Sequence, residues 1–392
     1  MKNLLITLIV ILGAFFGCSG NQIDYLKLHN NAIVVDLHSD TALRMMRGFD
    51  ISLRDTTGHM DIPRLVEGGV NLQVFACFLS TDTPLEECRE LADEIIDSME
   101  AQFSANSDKI EVCLTAANAE RIIGEGKIAA FIGIENGVAI SNSIENLEHF
   151  YNRGVRYLTL THTSSNDWCI SSADTLPAFN GLTDFGREVV RKMNDLGMII
   201  DISHSHALTV EEVLKISTDP IIASHSCVYD LCPHDRNLTD EQIKAIAQNG
   251  GMIGINFYTG YLSGEINRIS DSAWEVLGPV YDSLRVEYER NDSLWREARR
   301  DLYRQVREAT AGVEVNVATV VDHIDHIVNL VGADYVGFGS DFDGIPTLPD
   351  GLTDCSMVPN ITAELVNRGY TEQDIRKILG GNFMRVFHQV CD

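Results

Sequence analysis

Eight apolar runs, most of them separated by segments of helical period, constrain the fold of this 392-residue chain more than any other feature. The runs are rich in β-branched and aliphatic residues, as is typical of strands buried on both faces of a sheet. They lie at residues 33–37, 70–79, 129–134, 155–160, 198–202, 220–223, 251–257 and 335–338. The amphipathic segments between them include residues 85–103, 144–152, 185–196, 208–216 and 240–248.

Strand alternating with helix eight times predicts a (β/α)8 barrel of the TIM type. A doubly wound open sheet is the alternative fold, but no glycine-rich dinucleotide loop follows the first run. Residues 262–320 are charged and favour helix, which predicts a helical insertion between the seventh and eighth strands. Further helices are expected from residue 359 onwards, with a break at residues 380–382. We expect a single domain over residues 28–392.

The first 18 residues resemble an export leader. Lys2 precedes an apolar stretch over residues 4–16, which suits a signal-peptide core and is short for a membrane-spanning helix. Gly17 precedes Cys18, as a small residue does at a bacterial lipoprotein cleavage site. We therefore expect export and lipidation at Cys18 in a bacterial cell envelope, followed by a linker over residues 19–27. Plain secretion and an uncleaved anchor are the alternatives.

Charge and motif content exclude several classes of function. A formal net charge of −27 disfavours binding to nucleic acid or to an anionic membrane surface, so membrane attachment is expected through the lipid anchor alone. The nine cysteines include no CxxC pair, which argues against a cysteine zinc site. The sequence contains neither GxSxG nor a P-loop, so serine-hydrolase and nucleotide-triphosphate chemistry lack support.

Metal-binding side chains follow four of the apolar runs. His38 and Asp40 follow the first run, Glu135 the third, and His204 and His225 the fifth and sixth. Parallel barrel strands end at one rim, so we expect these groups to converge. Imidazoles mixed with carboxylates fit zinc best, with manganese or cobalt as alternatives, and the two oxygens of Glu135 could bridge two ions.

Three further residues are candidates for catalysis or substrate binding. Asp341 follows the last run, beside the first strand of a closed barrel, where its carboxylate could accept a proton from metal-activated water. His162 follows the fourth run. Arg236 lies in the loop after the sixth run, where its guanidinium could bind a substrate carboxylate or form a surface ion pair.

Other histidines and cysteines fit structural roles better. His206 lies two residues beyond a candidate ligand and could compete with it. His323 and His326 precede the last run on a predicted helix, at the amino-terminal face of a barrel, so we expect them to be structural. Cys77 and Cys113 lie in apolar runs and are expected to be buried free thiols.

Together these segments resemble the membrane dipeptidases, or renal dipeptidases, a family of metal-dependent hydrolase barrels. The resemblance covers residues from about 28 to 390. Its most specific parts are residues 155–162, 224–226, 236–237, 325–327, 339–344 and 380–386. The combination is far more specific than any one of these motifs.

The resemblance implies a zinc-dependent dipeptidase that cleaves small dipeptides with a free carboxyl terminus. It implies two Zn²⁺ ions per chain with a bridging hydroxide as the nucleophile. One ion would be held by His38, Asp40 and Glu135, and the other by Glu135, His204 and His225.

The resemblance also implies roles for the remaining candidates. His162 would polarise the scissile carbonyl, Arg236 would hold the substrate carboxylate, and Asp341 would handle protons. The partner implied is a small-molecule dipeptide whose side chains the sequence leaves open. Relatives are often homodimers, and nothing in the sequence locates an interface.

Two other functions remain open at this point. Another binuclear-metal amidohydrolase, acting on a lactam, lactone or N-acyl substrate, would share the barrel. Many such enzymes begin with His-x-His and several use a bridging carbamylated lysine, whereas this chain has His38-x-Asp40 and Glu135. The other alternative is a metal- or solute-binding lipoprotein without catalysis.

Overall fold

The computed structural model describes residues 23–288 and 292–392. Within these ranges nine strands form one sheet, and every pairing between neighbouring strands is parallel. The strands are β1 (Val35–Asp36), β2 (Leu72–Phe78), β3 (Ile110–Val112), β4 (Ile128–Glu135), β5 (Val155–Thr159), β6 (Ile199–Asp201), β7 (Ile222–Ala223), β8 (Met252–Ile255) and β9 (Val336–Phe338).

Eight of the strands form a nearly closed barrel. They follow the order β1-β2-β4-β5-β6-β7-β8-β9, and the N–H of Leu37 donates to the carbonyl of Phe338 at 3.1 Å, which brings the last strand against the first. The predicted (β/α)8 barrel is therefore confirmed, and each of its strands overlaps one of the predicted apolar runs. β3 pairs only with β4 and was not predicted.

Helices surround the barrel in the described part of the chain. The α-helices are α1 (Tyr25–Asn30), α2 (Thr41–Met46), α3 (Ile62–Glu67), α4 (Leu85–Ala105), α5 (Ala116–Gly124), α6 (Ile144–Asn152), α7 (Asp184–Leu196), α8 (Ala207–Ile216), α9 (Asp240–Gln248), α10 (Thr259–Leu262), α11 (Gly264–Glu287), α12 (Asp292–Thr310), α13 (Val317–Val331), α14 (Pro359–Asn367), α15 (Glu372–Arg376) and α16 (Asn382–Cys391). Short 3₁₀ turns span Gly137–Ile140, Ala333–Tyr335 and Cys355–Met357.

The barrel interior is packed beneath the rim that carries Glu135. All eight residues of β4 are buried, and Phe131, four residues before Glu135, lies on the same face of the strand. Phe383 and Phe387 of α16 pack on Phe131 with ring centroids 5.5 and 5.1 Å away. The expected break at residues 380–382 is confirmed at Gly380, whose non-helical backbone (φ 179°, ψ −20°) produces a kink between the turn Lys377–Gly381 and α16.

The expected insertion between the seventh and eighth barrel strands consists mainly of α11 and α12. Their aromatic rings pack together, with Trp274 5.3 Å from Tyr303 and Tyr281 5.0 Å from Trp295. Arg285 near the end of α11 forms an ion pair with Asp82, 3.3 Å away in the segment after β2. The insertion therefore reaches across the side of the barrel mouth that lies between β8 and β2.

The leader, the lipidation site Cys18 and residues 19–22 of the linker lie outside the described residues. No helix in the described ranges is both long and apolar enough to span a bilayer. The eight cysteines of the described ranges, Cys77 and Cys113 among them, are all buried free thiols.

Candidate metal centre

The five predicted ligands meet at the carboxyl-terminal rim of the barrel. His38 lies two residues after β1, Glu135 ends β4, and His225 lies two residues after β7. Nε2 of His38 is 3.7 Å from Oδ2 of Asp40 and 3.5 Å from Oε2 of Glu135. These three side chains form the first donor set.

The other oxygen of Glu135 faces a second donor set. Its Oε1 is 3.1 Å from Nε2 of His204 and 3.3 Å from Nε2 of His225. The two imidazole nitrogens are themselves 2.9 Å apart. Glu135 thus presents one oxygen to each set, which is the arrangement needed for a carboxylate that bridges two ions.

The donor chemistry fits metal ions. All five side chains are buried, and Nε2 of His38 has no hydrogen-bond partner among the described residues. A buried nitrogen without a partner is costly unless an ion or water completes it. Ligand atoms lie within 4.8 Å of one another in three groups at this rim, namely His38–Glu135–His225, Glu135–His162–His204 and His38–Asp40–Asp341. Imidazole nitrogens and carboxylate oxygens at such distances suit a divalent transition metal.

Electrostatics favour the metal-binding forms of most ligands. Burial lowers the pKa of His204 and of His225 well below the usual value, and the nearby Arg236 lowers both further. Burial alone would raise the pKa of Glu135, but His38 and His162 hold it well below the usual range. Neutral imidazoles and an ionised carboxylate are the forms that bind a metal ion.

His38 is the exception among the ligands. Burial lowers its pKa, but Tyr157 and Glu135 outweigh burial, so the pKa of His38 lies well above the usual value. Nδ1 of His38 is 2.9 Å from the hydroxyl of Tyr157, which leaves Nε2 directed at the carboxylates. A bound ion would replace the proton on Nε2.

Asp341 lies beside the first donor set. It is within 4.8 Å of both His38 and Asp40, and the side-chain amide of Asn256 donates to its Oδ2 at 2.8 Å. Burial raises the pKa of Asp341 well above the usual value, and the neighbouring charge of Asp40 raises it further. The carboxyl of Asp341 can therefore hold a proton at a pH where an ordinary aspartate cannot.

His162 and Arg236 lie beside the second donor set. Nε2 of His162 is 3.9 Å from Oε1 of Glu135, and the side chain is 22% exposed. Arg236 is buried, and its Nη2 donates to the carbonyl of His225 at 3.1 Å. The surface ion pair that was the alternative for Arg236 is therefore wrong.

Strained backbone is concentrated at this rim. Of the six non-glycine residues with positive φ in the described ranges, four follow barrel strands at the site: Asn136, His204, Asp341 and Asp343. Left-handed backbone in such residues persists only where surrounding contacts enforce it, as at functional sites. At Asp343 three hydrogen bonds to the carboxylate hold the residue in place, and their donors are Thr41, Arg44 and the backbone N–H of His59.

The other histidines have structural partners. His206 caps α8 by accepting the N–H of Leu208, so it does not compete for the metal centre. His323 accepts the N–H of Val228 and lies 3.1 Å from the carbonyl of Leu262. Val228 and Leu262 both follow the carboxyl ends of strands, so His323 lies towards the carboxyl-terminal face of the barrel. The expected position at the amino-terminal face is wrong because α13 runs antiparallel to the barrel strands, which places its first half near the rim. His326 binds Asp240 at 2.7 Å.

A family model described as membrane dipeptidase (peptidase family M19) matches residues 24–392. The chain belongs to this family. Dipeptidase 3 of Mus musculus is 31% identical over 375 residues, which are 93% of this chain and 66% of that relative. The chain thus spans just under two thirds of that relative's length.

Two solved structures are similar to this membrane dipeptidase family chain over nearly all of its length. The probable dipeptidase PvdM from Pseudomonas aeruginosa has a TM-score of 0.79 at 25% identity, with 93% of this chain and 97% of that one covered. A metallo peptidase from Rhodobacter sphaeroides, liganded with a phosphinate mimic of the dipeptide L-Ala-D-Ala, has a TM-score of 0.75 at 25% identity. Its coverage is 92% of this chain and 100% of that one.

The sequence analysis did not identify the residues that contact and position the candidate ligands and Asp341. They are Tyr157 behind His38, Ser224 behind His225, Asn256 behind Asp341, and Gly344, where an added Cβ would overlap the carboxylates of Asp40 and Asp341. Three lie in or beside apolar runs, where a lone polar group was the only available signal. Hydrogen bonding between strands distant in sequence decides their roles.

Proposed function

We propose that this chain is a zinc-dependent dipeptidase with two metal ions per chain. The observation that carries the proposal is the position of Glu135, with Oε2 3.5 Å from His38 and Oε1 3.1 Å from His204. Two divalent ions held there would polarise a scissile carbonyl and lower the pKa of the attacking water. Manganese and cobalt are the substitutes that the same ligands would accept.

The residues around the donor sets suit hydrolysis of an amide. His162 is half-buried beside Glu135, and burial lowers its pKa, so a neutral imidazole would donate a hydrogen bond to the carbonyl oxygen. Asp341 would take a proton from the attacking water and pass it to the leaving amine, a role suited to its raised pKa.

We propose as substrates small dipeptides with a free carboxyl terminus. Arg236 supports this assignment because it is a buried cation next to His204 and His225, and a substrate carboxylate would neutralise it. The similar metallo peptidase that holds a phosphinate mimic of L-Ala-D-Ala also supports it.

The test is release of free amino acids from a panel of L,L and L,D dipeptides. The chain lacking residues 1–18 would be assayed with zinc, after chelation and as the Glu135→Gln variant. We expect metal-dependent cleavage that falls at least about 1,000-fold in Glu135→Gln, because the variant loses the bridging charge. Glu211→Gln, at an exposed position on α8, is the matched control and should retain activity.

Three outcomes would contradict the proposal. Absence of cleavage across the panel while two ions are bound per chain would transfer the assignment to other amides, lactams or lactones. Cleavage that survives both chelation and Glu135→Gln would separate the activity from this centre. Failure to bind metal at all would leave the donor sets without their proposed occupants.

We further propose that the chain is exported, lipid-anchored through Cys18 and homodimeric. The proposal rests on the leader-like residues 1–18 and on the resemblance to the family. Expression with Cys18→Ala should move the protein from the membrane fraction to the soluble fraction, and light scattering should give twice the chain mass. Retention of Cys18→Ala in the membrane fraction would overturn the anchor.

A further inference from the structure

Behind the second donor set lies a buried carboxylate that accepts four hydrogen bonds. Oδ1 of Asp201 accepts the backbone N–H groups of Ser203 at 3.1 Å and Ser224 at 2.8 Å. Oδ2 accepts the hydroxyls of Thr159 and Ser224, each at 2.6 Å. Asp201 is fully buried, so these donors are what stabilise its charge inside the barrel.

The hydroxyl of Ser224 has a second short contact. Its Oγ is 2.7 Å from Nδ1 of His225. A serine hydroxyl carries one proton, and an ionised carboxylate can only accept. Because the proton of Ser224 is directed to Asp201, the remaining contact requires Nδ1 of His225 to be the donor.

This hydrogen-bond order determines which nitrogen of His225 binds a metal ion. With the proton on Nδ1, Nε2 carries the lone pair, and it lies 3.3 Å from Oε1 of Glu135. His204 lacks such support, since its Nδ1 has no hydrogen-bond partner among the described residues. The two imidazoles of one donor set are therefore supported unequally.

We propose that Ser224 is a positioning residue that fixes the tautomer and orientation of His225 as a metal ligand, with Asp201 as its charged support. The inference rests on the proposed metal-dependent function. It assigns the firmest nitrogen ligand of the second donor set to His225. Partners that orient a ligating histidine typically change metal affinity by about 10- to 100-fold when removed.

Thr159 provides a matched comparison. Its hydroxyl donates to the same oxygen of Asp201 at the same distance of 2.6 Å, and it is equally buried. Its hydroxyl has no bond to His225. Ser224→Ala and Thr159→Val therefore remove equivalent hydrogen bonds from Asp201, and only the first also removes the acceptor of Nδ1–H.

The experiment is a zinc competition titration of the full barrel against a chelator, with bound metal counted by atomic emission. Wild type should show two binding events, and in Ser224→Ala one of them should weaken by about 10- to 100-fold. In Thr159→Val both should stay within about threefold. Equal affinities in Ser224→Ala and Thr159→Val would overturn the proposal.

A second measurement follows the tautomer itself in metal-free protein labelled with ¹⁵N-histidine. The long-range proton–nitrogen spectrum of wild type should show His225 protonated at Nδ1, and Ser224→Ala should lose that preference while Thr159→Val keeps it. Protonation at Nε2 in wild type would also overturn the proposal. Failure of wild type to bind zinc would instead sink the proposed function and leave the tautomer measurement interpretable.

Discussion

Gly344 shows how one missing side chain shapes the first donor set. A Cβ at this position would overlap Oδ2 of Asp40 and Oδ1 of Asp341, while φ is ordinary, so space alone is at issue. We expect Gly344→Ala to lower kcat/KM by at least about 100-fold, because a displacement near 1 Å has that cost. Gly278→Ala on α11, where nothing lies within 4 Å, should leave kcat/KM unchanged. Equal activity in the two variants would show that the carboxylates are not held where the proposed chemistry needs them.

The hydrogen bond from Asn256 lowers the pKa of Asp341. The amide of Asn256 donates to Oδ2 of Asp341 at 2.8 Å, which favours the ionised form and lowers a pKa that burial and Asp40 raise. Asn256→Ala should raise the pKa of Asp341 further. If Asp341 must be ionised to accept a proton, the acidic limb of the pH profile of kcat/KM moves to higher pH. An unchanged or downward-shifted limb would contradict the role of Asp341 as the base.

The candidate metal ligands were predictable from the sequence because each lies within three residues of the end of an apolar run. His38 and Glu135 follow their runs directly, His225 follows after one residue, and the rule needs no knowledge of contacts. The residues behind the ligands were not predictable in this way. Tyr157 supports a residue 119 positions away, and a tyrosine in an apolar run gives no sign of it.

At the scale of elements, prediction succeeded where local signals agree with packing. α6 matches its predicted bounds because Ser143 caps it and its apolar face is buried. β3 was missed because three residues that pair outside the barrel leave no apolar run. The break expected at residues 380–382 is present at Gly380, where the backbone is non-helical and the chain passes close to the first strand, so that an added Cβ would lie 2.5 Å from the carbonyl oxygen of Ile33.

His323 connects α13 to the segments that follow β7 and β8, through its contacts with Val228 and Leu262. Burial lowers the pKa of His323 from 6.5 to about 4, so the folded chain binds fewer protons than the unfolded chain between these values. Stability is therefore complete above pH 6.5 and falls as pH drops towards 4, by about 3 kcal/mol from this group. His323→Gln should reduce the difference in Tm between pH 7 and pH 4.5. His388→Gln, at an exposed site on α16, should not reduce it.

The insertion of α11 and α12 should unfold locally while the barrel stays folded. Trp274 of α11 packs against α12 through the ring of Tyr303, 5.3 Å away, and against Tyr281 of its own helix, 5.9 Å away. Trp274→Ala should cost about 2 kcal/mol of local packing and raise the rate of proteolytic cleavage in residues 262–320 about 30-fold. Val276→Ala, with the side chain 71% exposed on the same helix, should cleave at the wild-type rate. A large fall in the Tm of the whole chain in Trp274→Ala would contradict local unfolding.

For the whole molecule, the candidate metal centre joins strands that are distant in sequence. Its ligands come from the ends of β1, β4, β6 and β7, so ions bound there bind the folded barrel alone. Zinc at 100 times its dissociation constant would contribute about 2.7 kcal/mol per ion. Chelation should therefore lower the Tm of wild type by about 5–10 °C. Glu135→Gln loses the carboxylate shared by both donor sets, so chelation should lower its Tm much less. The comparison requires scans at one rate, and equal shifts in the two proteins would place the stabilising metal elsewhere in the chain.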